Sequence, residues 1–392
     1  MRNPFYIVSL LLISLLSLIS CQDFDQNEPV LISNQNVVIF TSQIANKNDS
    51  VTSKDSVISK DTVSTVVIPP PPTIPPPTPP TITNTIIPTI TTTNKTSSPY
   101  SISDPIIWNG VSDKTISHLE ISNLKGASIE LINCKNIRIE YCKLGPSKGE
   151  GVTLYNCTNI TVENCYMESI STGVSAVESF AIKVNYNDVK NVMGPFPRGQ
   201  MVQFDEVTGS GSSISYNVCE NIAGQSHPED AISLFKSHGT ANDPIKVIGN
   251  WIRGGGPSIS GGGIILGDYG GSYINVENNI LVDAGQYGIA ITAGNNLTIK
   301  NNKIYSRKQS FTFWGLMSYI QYSNPTYSNT IMNNQVNFTN KDGVLRNLWD
   351  DGKAGEISGW SSNIYNSNLN ATILPSIILG KAATKAFETK SI

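Results

Sequence analysis

The stretch "VENNILVDAGQYGIAITAGNNLTIKNN", residues 276–302, opens and closes on the same short signature. Val276-Glu277-Asn278-Asn279 and Ile299-Lys300-Asn301-Asn302 each place an aliphatic residue three positions before an asparagine, and the two asparagines are 23 residues apart. Working outward, the signature recurs as "IEYC", "VENC", "VNYN", "ISYN", "VIGN" and "IMNN", ending on Cys142, Cys165, Asn187, Asn217, Asn250 and Asn334. The eight copies are 22 to 33 residues apart, which is one coil plus loops of variable length. A second short strand follows most of them, as in "GVTL", "GVSAV", "MVQF", "AISLF", "GIIL" and "GIAI", whose alternation sends one side chain inward and the next outward. Such units cannot bury their apolar sides alone, so they are predicted to stack. Propeller blades would need four strands per forty-odd residues, more than these short and unequal repeats supply.

This pattern resembles the right-handed parallel β-helix, the pectate-lyase-like superfamily, over residues 108–360. The resemblance implies an all-β solenoid of eight to ten coils, with the asparagines forming a ladder along one turn. We assign residues 105–370 to it and residues 371–392 to a C-terminal cap or tail, where "PSIILGKAATKAFETK" could supply a capping helix. Cys134 and Cys157, and likewise Cys142 and Cys165, are 23 residues apart and should stack on adjacent coils. Parallel side-chain vectors are poor disulfide geometry, so buried free thiols are expected.

Residues 1–20 carry one basic residue and an apolar run over 5–19, the size of a signal-peptide core. The run ends in Leu18-Ile19-Ser20-Cys21, which resembles a bacterial lipobox with Cys21 as the lipidated residue. The acidic residues after Cys21 resemble surface-sorting signals of lipoproteins, so the expected location is the outer membrane, facing the cell surface. Residues 21–104 read as a disordered Pro/Thr-rich stalk, with nine prolines in residues 69–80 forming a stiff polyproline II spacer. Asp49-Ser50-Val51, Asp55-Ser56-Val57 and Asp61-Thr62-Val63 resemble bacterial O-glycosylation acceptors.

The formal net charge of −3, without a basic aromatic patch, excludes a nucleic-acid binder. "GGGPSISGGG", residues 254–263, lacks the Gly-Lys-Ser/Thr ending of a phosphate loop, and no Gly-x-Ser-x-Gly elbow is present. Ionisable residues concentrate in the three coils from Gln200 to Thr292. Aligning "MVQFDE", "AISLFK" and "GIILGD" puts Glu206, Lys236 and Asp268 in one column, preceded by Asp205, Phe235 and Gly267. Glu206, His227, Asp230, Lys236 and Asp268 are the catalytic candidates. Gln203, Asp205, Glu229, Arg253, Tyr269 and Tyr287 are the substrate-binding candidates.

A lyase would need a base, for which His227 or Tyr269 suits better than Lys236 between two acids, and a cation such as Arg253 on a uronate carboxylate. A hydrolase would need two carboxyls; Glu206 and Asp268, two coils apart, would lie about 9.6 Å apart, at the edge of the inverting range. The bland alternative is a surface salt-bridge ladder without function. Among families of this fold, the calcium-binding aspartate cluster of pectate lyases and the Asn-Thr-Asp, Asp-Asp, Gly-His-Gly and Arg-Ile-Lys motifs of polygalacturonases are missing. No metal site or cofactor is identified, and calcium has no supporting motif. The expected function is therefore acting on or binding extracellular polysaccharide, lyase-like or glycosidase-like, by a monomer held to the membrane through its lipid anchor. A non-catalytic adhesin or structural module is the alternative. An open groove over Gln203, Asp205, Ser233 and Asp268 would favour the first, and a covered face would count against it.

Overall fold

The computed structural model describes residues 100–195 and 198–380. The signal peptide, Cys21, the Pro/Thr-rich stalk up to residue 99, the three glycosylation acceptors and residues 381–392 of the expected cap lie outside the described residues. What is described is a parallel β-helix. Each coil contributes a strand to a first, a second and a third sheet in turn, and every strand pairs in parallel with its counterpart one coil on.

The first sheet starts at Ile106–Asn109 and ends at Leu348–Asp350; the second starts at Ser112–Ser117 and ends at Ile357–Ser358. The third, of eleven strands, runs from Ser101–Ser103 to Ile364–Tyr365. Strand Ile264–Glu277 serves both the first and the second sheet, so one coil lacks the usual sharp corner between them. In-register aliphatic columns fill the interior. Val152, Val174, Val202, Ile232, Ile264 and Ile289 form one of them, each at most 1% exposed. Full burial of such a side chain is worth about 1.5–3 kcal/mol, and each coil buries its own only against the next.

The corners explain the repeating signature. Between the second and third sheets the residue at the bend is left-handed, with φ of 51° at Asn164, 66° at Gly249, 56° at Asn278 and 58° at Asn301. Asparagine and glycine enter this region at least cost, and five of the eight copies carry them there; Tyr141, Tyr186 and Tyr216 hold the same conformation in the other three. The following residue is the ladder. Asn187, Asn217, Asn250, Asn279, Asn302 and Asn334 each donate Nδ2–H to the Oδ1 of the next, at 2.7–3.1 Å, and the last bond reaches Asn363. Each of the six also donates to a strand carbonyl, and the Oδ1 of Asn217, Asn250, Asn279, Asn302 and Asn334 accepts a backbone N–H as well. A buried amide is thereby satisfied on each of these six coils.

Cys134, Cys142, Cys157, Cys165 and Cys219 are buried free thiols, and burial pushes the Cys157 thiol up to about 11. The described part of the expected capping helix is not helical beyond a single 3-10 turn at Ala371–Ile373. Residues 369–380 instead run back over the outer face of the third sheet. Leu374 and Ile378 are buried there against Val218 and Val282, and Asp188 Oδ1 accepts from the Gly380 N–H at 3.0 Å.

Candidate functional site

The bend between the first and second sheets is also left-handed, and on three successive coils it carries charge: Glu178 at φ 48°, Glu206 at φ 57° and Lys236 at φ 45°. Because the chain turns there, these side chains project from the edge of the helix. Lys236 Nζ lies 3.3 Å from Glu206 Oε1 and 4.9 and 5.1 Å from the ring centres of Phe235 and Tyr269.

On the next coil the pattern breaks. Leu234 pairs with Leu266 but Phe235 pairs with Asp268 and Ser237 with Gly271, so two extra residues are accommodated and the strand bulges. The column of Glu206, Lys236 and Asp268 expected from the sequence is thus corrected: Asp268 belongs with Asp205 and Phe235. The bulge throws Tyr269 outward, in a left-handed conformation at φ 58° and 38% exposed. Tyr269 packs against Tyr322 with ring centres 4.7 Å apart; the Tyr322 hydroxyl donates to Asp268 Oδ1 at 2.9 Å, and Asn324 Nδ2 to the Tyr269 carbonyl at 3.2 Å.

Between the bulge, the loop holding Tyr322 and Asn324, and the Glu206–Lys236 edge lies a cleft of about 470 Å³, lined by Glu206, Lys236, His238, Tyr269, Asn295 and Asn324 among others. That volume falls within the range of small-molecule sites. His238 ends strand Ile232–His238, and its Nδ1 is 3.0 Å from Ser272 Oγ, which leaves Nε2 as the ring nitrogen for a ligand. Desolvation holds the imidazole below the usual histidine range, against an opposing pull from Glu206. The shift favours the neutral form, the one that can accept a proton.

The outward face of the first sheet beside this cleft is covered rather than open. Gln203 is 8%, Ser233 3% and Asp268 7% exposed. The groove anticipated over these residues is absent, and the accessible chemistry sits at the corner next to it. Asp205 is only partly buried, and desolvation followed by the charge of Glu206 pushes it up to about 6.

Five other candidates lie elsewhere. His227 is exposed, on a loop whose backbone N–H donates to the Val192 carbonyl at the end of the third sheet, and does not line the cleft. Arg253 is on the third sheet; its Nη1 bonds Glu220 and the Ser376 carbonyl, each at 3.0 Å, and its Nη2 bonds the Pro375 carbonyl, so it fastens the C-terminal strap instead of meeting a uronate. Tyr287 is 1% exposed and offers no stacking face: its hydroxyl donates to Asp230 Oδ1, across Gly262. A Cβ at Gly262 would stand 2.6 Å from the Tyr287 ring, so only glycine lets the tyrosine reach over. Asp230 also accepts the Gly262 N–H at 2.9 Å, and burial with the neighbouring Glu229 charge pushes it up to about 8.

Glu229 is itself buried, held by Ser260 Oγ at 2.5 Å and raised by desolvation. This corner is a buried packing network, removed from the cleft. Among the described residues no group of three or more His, Cys, Asp or Glu is placed to hold a metal ion. The residue sequence reasoning missed is His238, two positions beyond Lys236; its signal was the column that bridges Thr208, His238 and Ser272 on successive coils.

The family described as the right-handed beta helix region matches residues 104–271. No curated protein sequence matches the chain. Among solved structures, an alginate lyase from Paenibacillus sp. str. FPU-7 is 13% identical, with 69% of this chain and 89% of that one covered and a TM-score of 0.41. The catalytic unit of a GH87 α-1,3-glucanase from Streptomyces thermodiastaticus is 11% identical over 68% of this chain, at a TM-score of 0.36, and this chain spans about half (52%) of it. Endopolygalacturonase I from Stereum purpureum is 10% identical, covering 63% and 69% of the two chains, at a TM-score of 0.32. At such identities the likeness is one of fold.

Proposed function

We infer that this right-handed parallel β-helix binds an acidic polysaccharide in the cleft beside Lys236 and cleaves it by β-elimination. The observation that supports this is one accessible cavity in which a lysine, a histidine and a tyrosine stand together: Lys236, His238 and Tyr269. Elimination beside a uronate needs a positive charge on the carboxylate, so that the adjacent C–H becomes acidic, a base for that proton and a donor for the leaving oxygen. Lys236 supplies the charge, and an incoming carboxylate would compete with Glu206 for an ammonium that is already accessible. The Nε2 of His238 is the base and the Tyr269 hydroxyl the donor. Tyr269 gives a sugar ring an apolar wall, with Phe235 and Tyr322 packed against it.

A hydrolytic reading rests on a separate observation: Asp205 and Asp268 share a column two coils apart, about 9.6 Å along the stack, at the upper edge of the inverting range. Against it, Phe235 stands between the two, and Asp268 is buried under Tyr322. We further propose that the chain is displayed at the outer membrane through Cys21, with the stalk expected over residues 21–104 as spacer, although Ser101–Ser103 at its end already pairs in the third sheet; the support for this is the sequence pattern.

The test is incubation of the purified chain with polygalacturonate, alginate and a neutral glucan. Ultraviolet absorbance of unsaturated ends would support elimination, and new reducing ends without that absorbance would support hydrolysis. Retention of a polymer without cleavage would leave a binding module, and neither retention nor cleavage would favour the structural-module alternative.

A further inference from the structure

The interior core is not the molecule's only apolar cluster. On the outward face of the first sheet the column that reads Thr153, Ser175, Gln203 and Ser233 changes at Ile265 and continues as Ala290, Met317 and Trp349. Ile265, Tyr287, Ala290 and Met317 are buried there beneath Trp314, Tyr319 and Trp349, which are only half-buried.

The rings above them are ordered. Trp349 stacks on Trp314 at 5.6 Å with 21° between planes and on Tyr319 at 5.0 Å with 25°, while the exposed Arg346 guanidinium lies 5.0 Å from the Trp314 ring centre. Among the described residues Leu348–Asp350 is the last strand of the first sheet, and none of them extends the stack beyond Trp349. One loop joins the cluster to the cleft: Tyr319 begins the segment that carries Tyr322, packed against Tyr269, and Asn324 and Pro325, which line the cleft.

We propose that Trp314, Tyr319, Trp349 and Arg346 form a second glycan-binding platform, over which an acidic polysaccharide passes on leaving the cleft. A sugar ring has an apolar C–H face that suits an aromatic ring and a rim of hydroxyls that suits the polar edge of such a platform, and aromatic residues combine a large apolar surface with a polar tip. Arg346 selects for chains that carry carboxylates, as Lys236 does in the cleft. The platform makes the ligand a polymer rather than a single sugar. It rests on the cleft reading for the direction of the chain, but its aromatic contacts do not depend on which bond is broken.

The experiment uses the full chain and polygalacturonate, with gel retardation and tryptophan emission as readouts. We expect Trp349→Ala to weaken retention about three- to tenfold, Trp349→Phe to weaken it less, and Arg346→Gln to weaken polygalacturonate but not a neutral glucan. The emission change should persist in Lys236→Met, whose cleft lacks its cation. Equal retention by the parent, Trp349→Ala and Arg346→Gln would overturn the proposal, as would no retention by the parent, or a dimer of the chain that Trp349→Ala dissolves. If Trp349→Ala weakens retention while no unsaturated product forms, the platform stands and the elimination reading falls.

Discussion

Asp230 is a carboxyl group that the fold holds in its neutral form, and Asp230→Asn tests whether that burial limits stability. The folded protein raises this group to about 8, chiefly by desolvation and then by the Glu229 charge. An aspartate ordinarily titrates near ~3.9, and each unit is worth about 1.4 kcal/mol. A group raised in the folded state binds its proton more tightly there, so its contribution to stability is complete below about pH 4 and declines as pH rises toward about 8. The full decline is on the order of 5 kcal/mol, or roughly 10 °C in Tm for a domain of this size. Asparagine keeps the oxygen that accepts from Gly262 and Tyr287 and cannot ionise. Thermal melts of parent and variant should therefore nearly coincide at pH 4 and diverge at pH 8, with the variant melting higher. A variant that melts lower at pH 8, or differs equally at both pH values, would refute the reasoning.

Asn250→Ala removes one rung of the ladder and with it the Oδ1 that accepts from the buried N–H and Nδ2–H of Asn217, so a loss of about 2–5 kcal/mol is expected in denaturant titration. Gly262→Ala places a methyl against the Tyr287 ring, and a Tm loss that Tyr287→Phe does not relieve is expected, since the ring and not the hydroxyl is struck. Lys236→Met should leave Tm almost unchanged, because an exposed ion pair is worth about 0–1 kcal/mol, while abolishing turnover of uronate polymers. Activity should fall as pH drops through the His238 pKa, which lies below the ordinary histidine value, because protonation removes the base; a pH–rate profile locates that limb.

The fold was legible because its corner chemistry repeats. An Asn, Gly or Tyr at the left-handed bend and a buried Asn or Cys after it recur every 22 to 33 residues, and the buried residue follows from backbone requirements local to each coil. The site was less legible, for reasons that particular residues show. Asp268 was misplaced because a bulge adds residues that spacing alone assigns to the next strand. Arg253 read as a substrate ligand because its partners, Pro375 and Ser376, lie more than 120 positions away on a strap with no repeat of its own. Tyr287 read as a stacking surface because the sequence does not show that it bends inward over Gly262 to reach Asp230. Glu206, Lys236 and Tyr269 line the cleft because each sits at a left-handed bend, where the side chain projects outward. His238, in the same cleft, was passed over for the more conspicuous His227, which stands in a cluster of polar residues at another corner.

The most direct measurement of the central claim is the formation of unsaturated ends from polygalacturonate or alginate by the parent chain and by His238→Ala. The cleft account predicts product from the parent with at least one of these polymers, and a loss of two or more orders of magnitude in the variant at an unchanged melting temperature. Product formation by His238→Ala at the parent's rate, or none by the parent with either polymer, would contradict it.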